Sequence, residues 1–341
     1  MQPLHGSRRG AACTGSVSRG GRARAGRHEQ TRPHRRRRVS ERSHSEHAIR
    51  AHDAFRGLQT HLCEELSRLD GAATFHHDLW ERPGGGGGDT AVIADGDLFE
   101  KGGVNWSAVW GTFDDEALRR LGGTEREFYA TGTSLVLHPR NPYVPAVHAN
   151  FRYLERGNDA WFGGGSDLTP VYPEIEDAVA FHRAWKNACD RHDPAYYARF
   201  KQWCDEYFYL PHRGETRGVG GIFFDDLHGD FEPLFSFVRD CGDTFVTAYA
   251  PIADRRRHQP YGDTERYFQQ LRRGRYVEFN LVYDRGTAFG LATNGRTESI
   301  LMSLPPLARW EYGWQPASGS REEKALAFFQ PRDWLAEHPG V

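Results

Sequence analysis

The stretch VHANFRYLE, residues 147–155, alternates apolar and polar side chains without a break. Successive residues of a β-strand point to opposite faces. Val147, Ala149, Phe151 and Tyr153 therefore share an apolar face, while His148, Asn150 and Arg152 line the other. That polar face can be read as the solvated side of an edge strand or as a recognition surface. A solvated face draws mainly on Lys, Glu and Thr, whereas a guanidinium beside an amide suits fork-like recognition of a carboxylate.

The rest of the chain supplies the partners such a strand needs. Ala48, Phe55, Leu58, Leu62, Leu66 and Leu69 recur at helical spacing and predict an amphipathic helix over about 46–69. PGGGGGD, 83–89, reads as a flexible loop. TAVIA (90–94), VNWSAVW (104–110) and TSLVLH (133–138) read as strands, as does GIFFDDL (221–227). Glu174–Asp190, Pro194–Tyr209, Phe231–Cys241, Thr244–Ile252 and Thr264–Leu271 carry helical patterns, and RYVEFNLVYD (275–284) reads as a long strand covered on both faces. Strands do not alternate regularly with helices. The expected class is α+β, a large mainly antiparallel sheet flanked by helices in a single domain, rather than a doubly wound parallel sheet. LMSLPPLARWEYGW, 301–314, is too rich in Leu, Met, Trp and Tyr for an exposed loop and is either core or interface.

Charge separates the N-terminal stretch from the body. Residues 1–45 hold 12 Arg against two Glu, which leaves 32 basic and 44 acidic residues in the remainder. The Arg-rich leader has too few apolar residues to bury a core and is expected to be disordered, a tail or read-through sequence rather than a targeting segment. The body, 46–341, is acidic, which argues against nucleic acid as a partner. No apolar run reaches the ~18 residues of a membrane span. Five widely spaced cysteines signal neither a disulfide framework nor a zinc site. These features predict a soluble, cytoplasmic protein.

WFGGGSDLTP, 161–170, brings three glycines up to Asp167, with no Lys-Ser or Lys-Thr pair to make a phosphate cradle. From its neighbours alone, Asp167 is a capping residue or a ligand acceptor. Asp284, before Arg285 and Gly286, is a turn former or an acceptor. His138 and His148 flank a loop with three prolines, and Ser134 lies on the face of His138. With 17 histidines in the chain, this pair alone is a weak metal signal.

Four long motifs in one order settle the comparison at the level of sequence. VHANFRYLE, WFGGGSDLTPVYP, FKQWCDEYFYLPHRGETRGVGGIFFDDL and RYVEFNLVYDRGTAFGLATNGRTESILMSLPPLARWEYGW together resemble aerobic, oxygen-dependent coproporphyrinogen III oxidase, over essentially all of 50–340. The resemblance implies an oxidoreductase of haem biosynthesis. Such an enzyme decarboxylates the ring A and B propionates of coproporphyrinogen III to vinyl groups with O₂, giving protoporphyrinogen IX. It implies Ser134, Asn150, Phe151, Arg152, Asn294, Gly295 and Arg296 as substrate contacts, with Arg152 and Arg296 on propionates. His148 is implied as the catalytic acid, and Asp167 and Asp284 as acceptors for the pyrrole N–H groups. It further implies His138, His148, His182 and His212 as the histidines assigned to a divalent metal in bacterial members, although other members are regarded as needing none.

No flavin, nicotinamide or haem-attachment motif is present, so the expected electron source is the pyrrole itself. In that scheme a carboxylate or imidazole helps remove a pyrrole N–H proton, the anion reacts with O₂, and the peroxide takes a hydrogen from the propionate as CO₂ leaves. A non-catalytic tetrapyrrole carrier and a His-metal hydrolase are the competing classes. The resemblance also points to a symmetric homodimer formed through about 276–311.

Overall fold

The structure, a computed structural model, describes residues 44–115, 118–119, 123–292 and 295–341. The expectations for the leader and for Asn294 lie outside the described residues. The unit His44–Val341 opens with α1 (Glu46–Asp70), started by a Ser45 side chain that accepts from the Ala48 amide and ended by Gly71 in the left-handed region. Of the residues the periodicity named, Ala48, Phe55, Leu62 and Leu66 are buried and Leu58 and Leu69 are partly buried, with Ala51 added to the inner face.

Next come β1 (His76–Glu81), β2 (Gly86–Ala94), β3 (Phe99–Thr112), β4 (Glu127–Pro139), β5 (Ala146–Arg156) and β6 (Asp159–Thr169). They pair in sequence order, all antiparallel, and β9 (Gly220–Leu227) closes the seven-stranded sheet beside β6. Between β6 and β9 lie α2 (Ile175–Asp190), α3 (Tyr196–Tyr207) and a two-residue ribbon, β7 (Tyr209–Leu210) with β8 (Glu215–Thr216). After β9 run α4 (Phe231–Arg256), α5 (Asp263–Glu278), a π-helical turn (Phe279–Tyr283), α6 (Arg285–Ala292) and α7 (Thr297–Leu301). Two short helices, α8 (Arg321–Leu326) and α9 (Trp334–Glu337), complete the order. The expected α+β class holds.

One face of the sheet carries the main core. Val147, Ala149, Phe151 and Tyr153 of β5 pack with Leu135 and Leu137 of β4 against Phe55 and Leu62 of α1 and Phe237, Phe245 and Tyr249 of α4. A single carboxylate ties α1 to the sheet. Asp70 accepts from the amides of Ala72, Ala73, Asp97, Leu98 and Phe99 at 2.8–3.2 Å.

Three expectations are corrected. PGGGGGD is not a loop throughout: Gly86, Gly87 and Gly88 are in β2, paired with β1 and β3. A Cβ at Gly87 would sit 2.3 Å from the Trp80 carbonyl oxygen, so close strand approach, not flexibility, demands glycine there. The two helices read on either side of Gly242 are one, α4, and Gly242 sits inside it where a Cβ would meet Leu58 of α1 at 2.8 Å. RYVEFNLVYD is helical, not a strand: α5 runs through Glu278 into the π-turn. Its alternation was the wrong guide because Phe279 is buried while Leu281 and Val282 are exposed.

Candidate active site

The second face of the same sheet is built from small and polar residues. Residues directly opposite one another on neighbouring strands share a face. One rung across that face reads Asp78, Thr90, Asn105, Ser134, Asn150 and Gly165, from β1 to β6. The adjacent rung on one side reads Trp80, Gly88, Ser107, Gly132, Arg152 and Gly163, and on the other side His76, Val92, Gly103, Val136, His148 and Asp167. Gly88, Gly103, Gly132, Gly163 and Gly165 thus stand around Ser134, Asn150 and Arg152. Gly88, Gly103 and Gly163 lie beneath the side chains of Trp80, Met302 and Arg152, which leaves Gly132, Ser134, Asn150 and Arg152 as a partly open floor.

Its polar groups come from several elements. Arg152 pairs with Asp225 of β9 at 2.7 Å and donates to the Asn150 amide oxygen at 3.3 Å. Gly163 makes room for that pair, since a Cβ there would meet Asp225 Oδ1 at 2.6 Å and Arg152 Nε at 2.7 Å. Arg285 approaches the other Asp225 oxygen at 3.9 Å and lies over the Tyr207 ring. At the far side of the floor α7 lies on the sheet: the Ser299 hydroxyl meets Thr90 at 2.7 Å, and Asn105 donates to the Ser299 carbonyl at 2.9 Å. Arg296, just before α7, pairs with Asp78. Asp78 on β1 and Arg152 on β5 are four strand spacings apart, roughly 19 Å. Two guanidiniums therefore bracket the floor, as carboxylates at opposite ends of a wide ligand require.

His148 stands at the inner end. Its Nδ1 lies 3.0 Å from Asp167 Oδ1, its ring meets Phe208 edge-on, and its side chain keeps 19% exposure. Asp167 is fully enclosed. Burial alone would raise its carboxyl, but the charge of Arg217 and then the His148 hydrogen bond hold it below the ordinary carboxylate value. The triple glycine does not aim Asp167 into open space: these residues are strand β6, and the carboxylate faces Arg217 and His148. Nor does Asp167 cap a turn.

The other expected residues fall in distinct places. Ser134 and Asn150 are opposite each other on the floor. Phe151 points into the helix-side core. Gly295 donates its amide to the Gly290 carbonyl beside Arg296. Asp284 accepts from the Tyr207 hydroxyl at 2.9 Å and, with its other oxygen, from the Thr287 amide at 2.6 Å, so it starts α6 as a helix cap.

The four histidines do not converge. His182 is buried, its Nε2 against the Val219 carbonyl and its Nδ1 against the Tyr197 hydroxyl, and burial lowers it to about 4. His138 Nε2 donates to the Ser303 carbonyl, and burial followed by the charge of Arg273 lowers it to about 3. His212 sits between Glu278 and Tyr283 on the ribbon side. Among the described residues no group of three or more His, Cys, Asp or Glu is arranged to hold a metal ion. The donor set does not fit a shared metal within one copy of the chain.

Sequence reasoning missed Asp225, Tyr207, Arg217, Arg285 and Ser299. Asp225 had a readable signal, since alternation along GIFFDDL places it on the face of Gly221 and Phe223.

The family model for coproporphyrinogen III oxidase matches residues 50–334. An oxygen-dependent coproporphyrinogen-III oxidase of Prochlorococcus marinus (strain MIT 9313) is 51% identical over 317 residues, covering 84% of this chain and 91% of the relative. The protein of the same name from Parasynechococcus marenigrum (strain WH8102) is 51% identical over 317 residues, 84% of this chain and 87% of the relative. That of a second strain of Prochlorococcus marinus is 49% identical over 310 residues, 82% and 90% of the two chains. The chain belongs to the coproporphyrinogen III oxidase family.

Proposed function

We propose that the glycine floor binds coproporphyrinogen III and that the chain converts two of its propionates to vinyl groups in an O₂-dependent oxidative decarboxylation of haem biosynthesis. Each propionic acid side chain, –CH₂CH₂COOH, becomes –CH=CH₂ and CO₂, and the two hydrogens released reduce O₂ to H₂O₂. The observation that carries the reading is the placement of His148, Asn150 and Arg152 along one strand, beside Ser134 and the floor glycines, with Arg296 across the face. A wide, flexible macrocycle needs an open polar face, and its carboxylates need guanidiniums at the rim.

In this reading Arg152 exchanges Asp225 for a substrate propionate, and Arg296 exchanges Asp78. His148 handles the proton, with Asp167 orienting its ring. The protein's contribution is orientation and charge placement, worth several kcal/mol of barrier. No step is assigned to a metal. The test is CO₂ release from coproporphyrinogen III in air, under argon, and in air with chelator. CO₂ only in air, with or without chelator, is expected. No CO₂ in air identifies a tetrapyrrole carrier, and release under argon identifies an O₂-independent decarboxylation that leaves ethyl groups.

We further infer that two copies pair through about 276–311. Leu281, Val282, Leu291, Leu307, Trp310 and Tyr312 are exposed large apolar residues in or next to this segment, a concentration that a twofold contact would cover. Sedimentation at micromolar concentration is expected to give about twice the 38.8 kDa chain mass. Leu304→Asp with Leu307→Asp is expected to give the folded single chain, and a wild-type mass of one chain would end the dimer reading. Residues 46–341, which contain the whole of the family match, are expected to retain full activity without the leader.

A further inference from the structure

Arg217 is a buried, fully engaged charge that the reaction as proposed does not use. Its side chain is 2% exposed, too deep to touch a substrate. All three of its nitrogens are engaged: Nη2 with Asp167 Oδ1 at 2.6 Å, Nε with Asp167 Oδ2 at 3.3 Å, and Nη1 with the Asn280 amide oxygen at 2.8 Å. The guanidinium also lies 4.2 Å from the Phe208 ring centroid, 4.5 Å from that of Tyr276 and 4.7 Å from that of Phe279. Burying an ion pair adds little net stability, because desolvation offsets most of the attraction and apolar replacements commonly do as well. Arg217 therefore calls for a role in geometry.

The geometry is a chain of three side chains. Asp167 Oδ1 is shared between Arg217 Nη2 and His148 Nδ1. A carboxylate gripped by a two-point guanidinium fork cannot rotate, and, being ionised, it can only accept. His148 Nδ1 must then carry the ring proton, which leaves Nε2 as the atom free to take and return a proton. Asn280 adds a second input. It belongs to the π-turn at the start of the segment that pairs the copies, and its amide nitrogen lies 3.3 Å from the Ser303 hydroxyl.

We propose that Arg217 is a positioning residue: through Asp167 it fixes the tautomer and ring orientation of His148, and through Asn280 it makes that alignment depend on the seating of the π-turn Phe279–Tyr283. The proposal rests on His148 being the proton-handling group.

The test is Arg217→Met and Arg217→Lys, each measured two ways. In steady-state assays Arg217→Met is expected to lower kcat by about 10–100-fold with KM changed less than about threefold, as loss of an orienting partner does. Lys keeps the charge but not the fork and is expected to fall between. In ¹⁵N-histidine-labelled protein, with the His148 signals assigned by their loss in His148→Asn, the wild type is expected to show protonated Nδ1. Arg217→Met is expected to shift His148 toward protonated Nε2. Asn280→Ala, which leaves the pair in place, is expected to give a smaller kcat loss in the same direction. Should Arg217→Met fail to fold, Arg217→Lys and Asn280→Ala carry the test. A folded Arg217 variant with wild-type kcat, or an unchanged His148 tautomer, would overturn the proposal. The two arms separate failures: a wild type without activity sinks the proposed reaction, while the tautomer shift still reports on Arg217.

Discussion

The two faces of the seven-stranded sheet are made by the same strands and obey opposite rules. On the helix side, β4 and β5 present Leu135, Leu137, Val147, Phe151 and Tyr153, all essentially excluded from solvent. On the other side the same two strands present Gly132, Ser134, His148, Asn150 and Arg152. One face is filled with apolar side chains, and the other is small, polar and partly open, which is the face the proposed reading assigns to the ligand. The comparison teaches that glycine serves this face by letting other side chains come close: Met302 over Gly103, Trp80 over Gly88 and the Arg152–Asp225 pair over Gly163.

The largest effect should come from the polar face. His148→Asn is expected to lower kcat by about 10²–10⁴-fold while KM changes little, the range for loss of an acid–base group. Equal losses in turnover and binding would remove His148 from the chemistry. The filled face should respond in stability instead. Phe55→Ala, at the centre of α1, is expected to reduce stability by about 3–5 kcal/mol in denaturant titration with KM unchanged. A raised KM in the folded variant would show that the faces are not separable.

Asp70 sharpens the comparison, because it stabilises the sheet from outside both faces. Burial raises its carboxyl, yet the amides of Phe99, Ala73, Leu98 and Ala72 together bring it below the ordinary 3.8. A carboxylate depressed in the folded state contributes stability that is complete above the unfolded value and lost as pH falls through the folded one. Thermal melts should therefore show an Asp70 contribution that is constant above about pH 5 and shrinks below about 3.8. Asp70→Asn is expected to cost about 2–3 kcal/mol at pH 7 and to flatten that acid limb. An acid limb of the same size in the variant would assign it to other carboxylates.

Much of this was legible in the sequence, for reasons that are local. VHANFRYLE betrayed both faces because alternation in a strand depends only on neighbouring residues, and the helical spacing of 48–69 fixed α1 in the same way. RYVEFNLVYD misled because its aromatic and β-branched residues favour a strand locally, whereas what it buries follows a helix: Tyr276, Val277, Phe279 and Asn280 turn inward while Leu281 and Val282 are exposed. The glycines of 86–88 read as a breaker because their reason for being glycine, the approach of β1 and β3, lies on other strands. Within the site, His148, Asn150 and Arg152 could be named from alternation, but nothing in HRGETRGVGG distinguishes a buried Arg217 from Arg213, which pairs with Glu278 near the surface. Burial of a charge is decided by what the fold places around it.

The most direct test of the two-face account is the affinity for coproporphyrin III, the fluorescent oxidised form that keeps the four carboxylates, in two variants of adjacent strands. Gly163→Val puts a side chain on the floor, where the nearest atoms are the ends of Arg152 and Asp225 rather than backbone. Phe151→Leu loosens the core behind the same floor. The account predicts that Gly163→Val, by displacing the Arg152–Asp225 pair, weakens binding by tenfold or more, about 1.4 kcal/mol or beyond, while Phe151→Leu lowers Tm and leaves Kd within about twofold. Wild-type affinity in Gly163→Val, or an equal loss of affinity in Phe151→Leu, would contradict it.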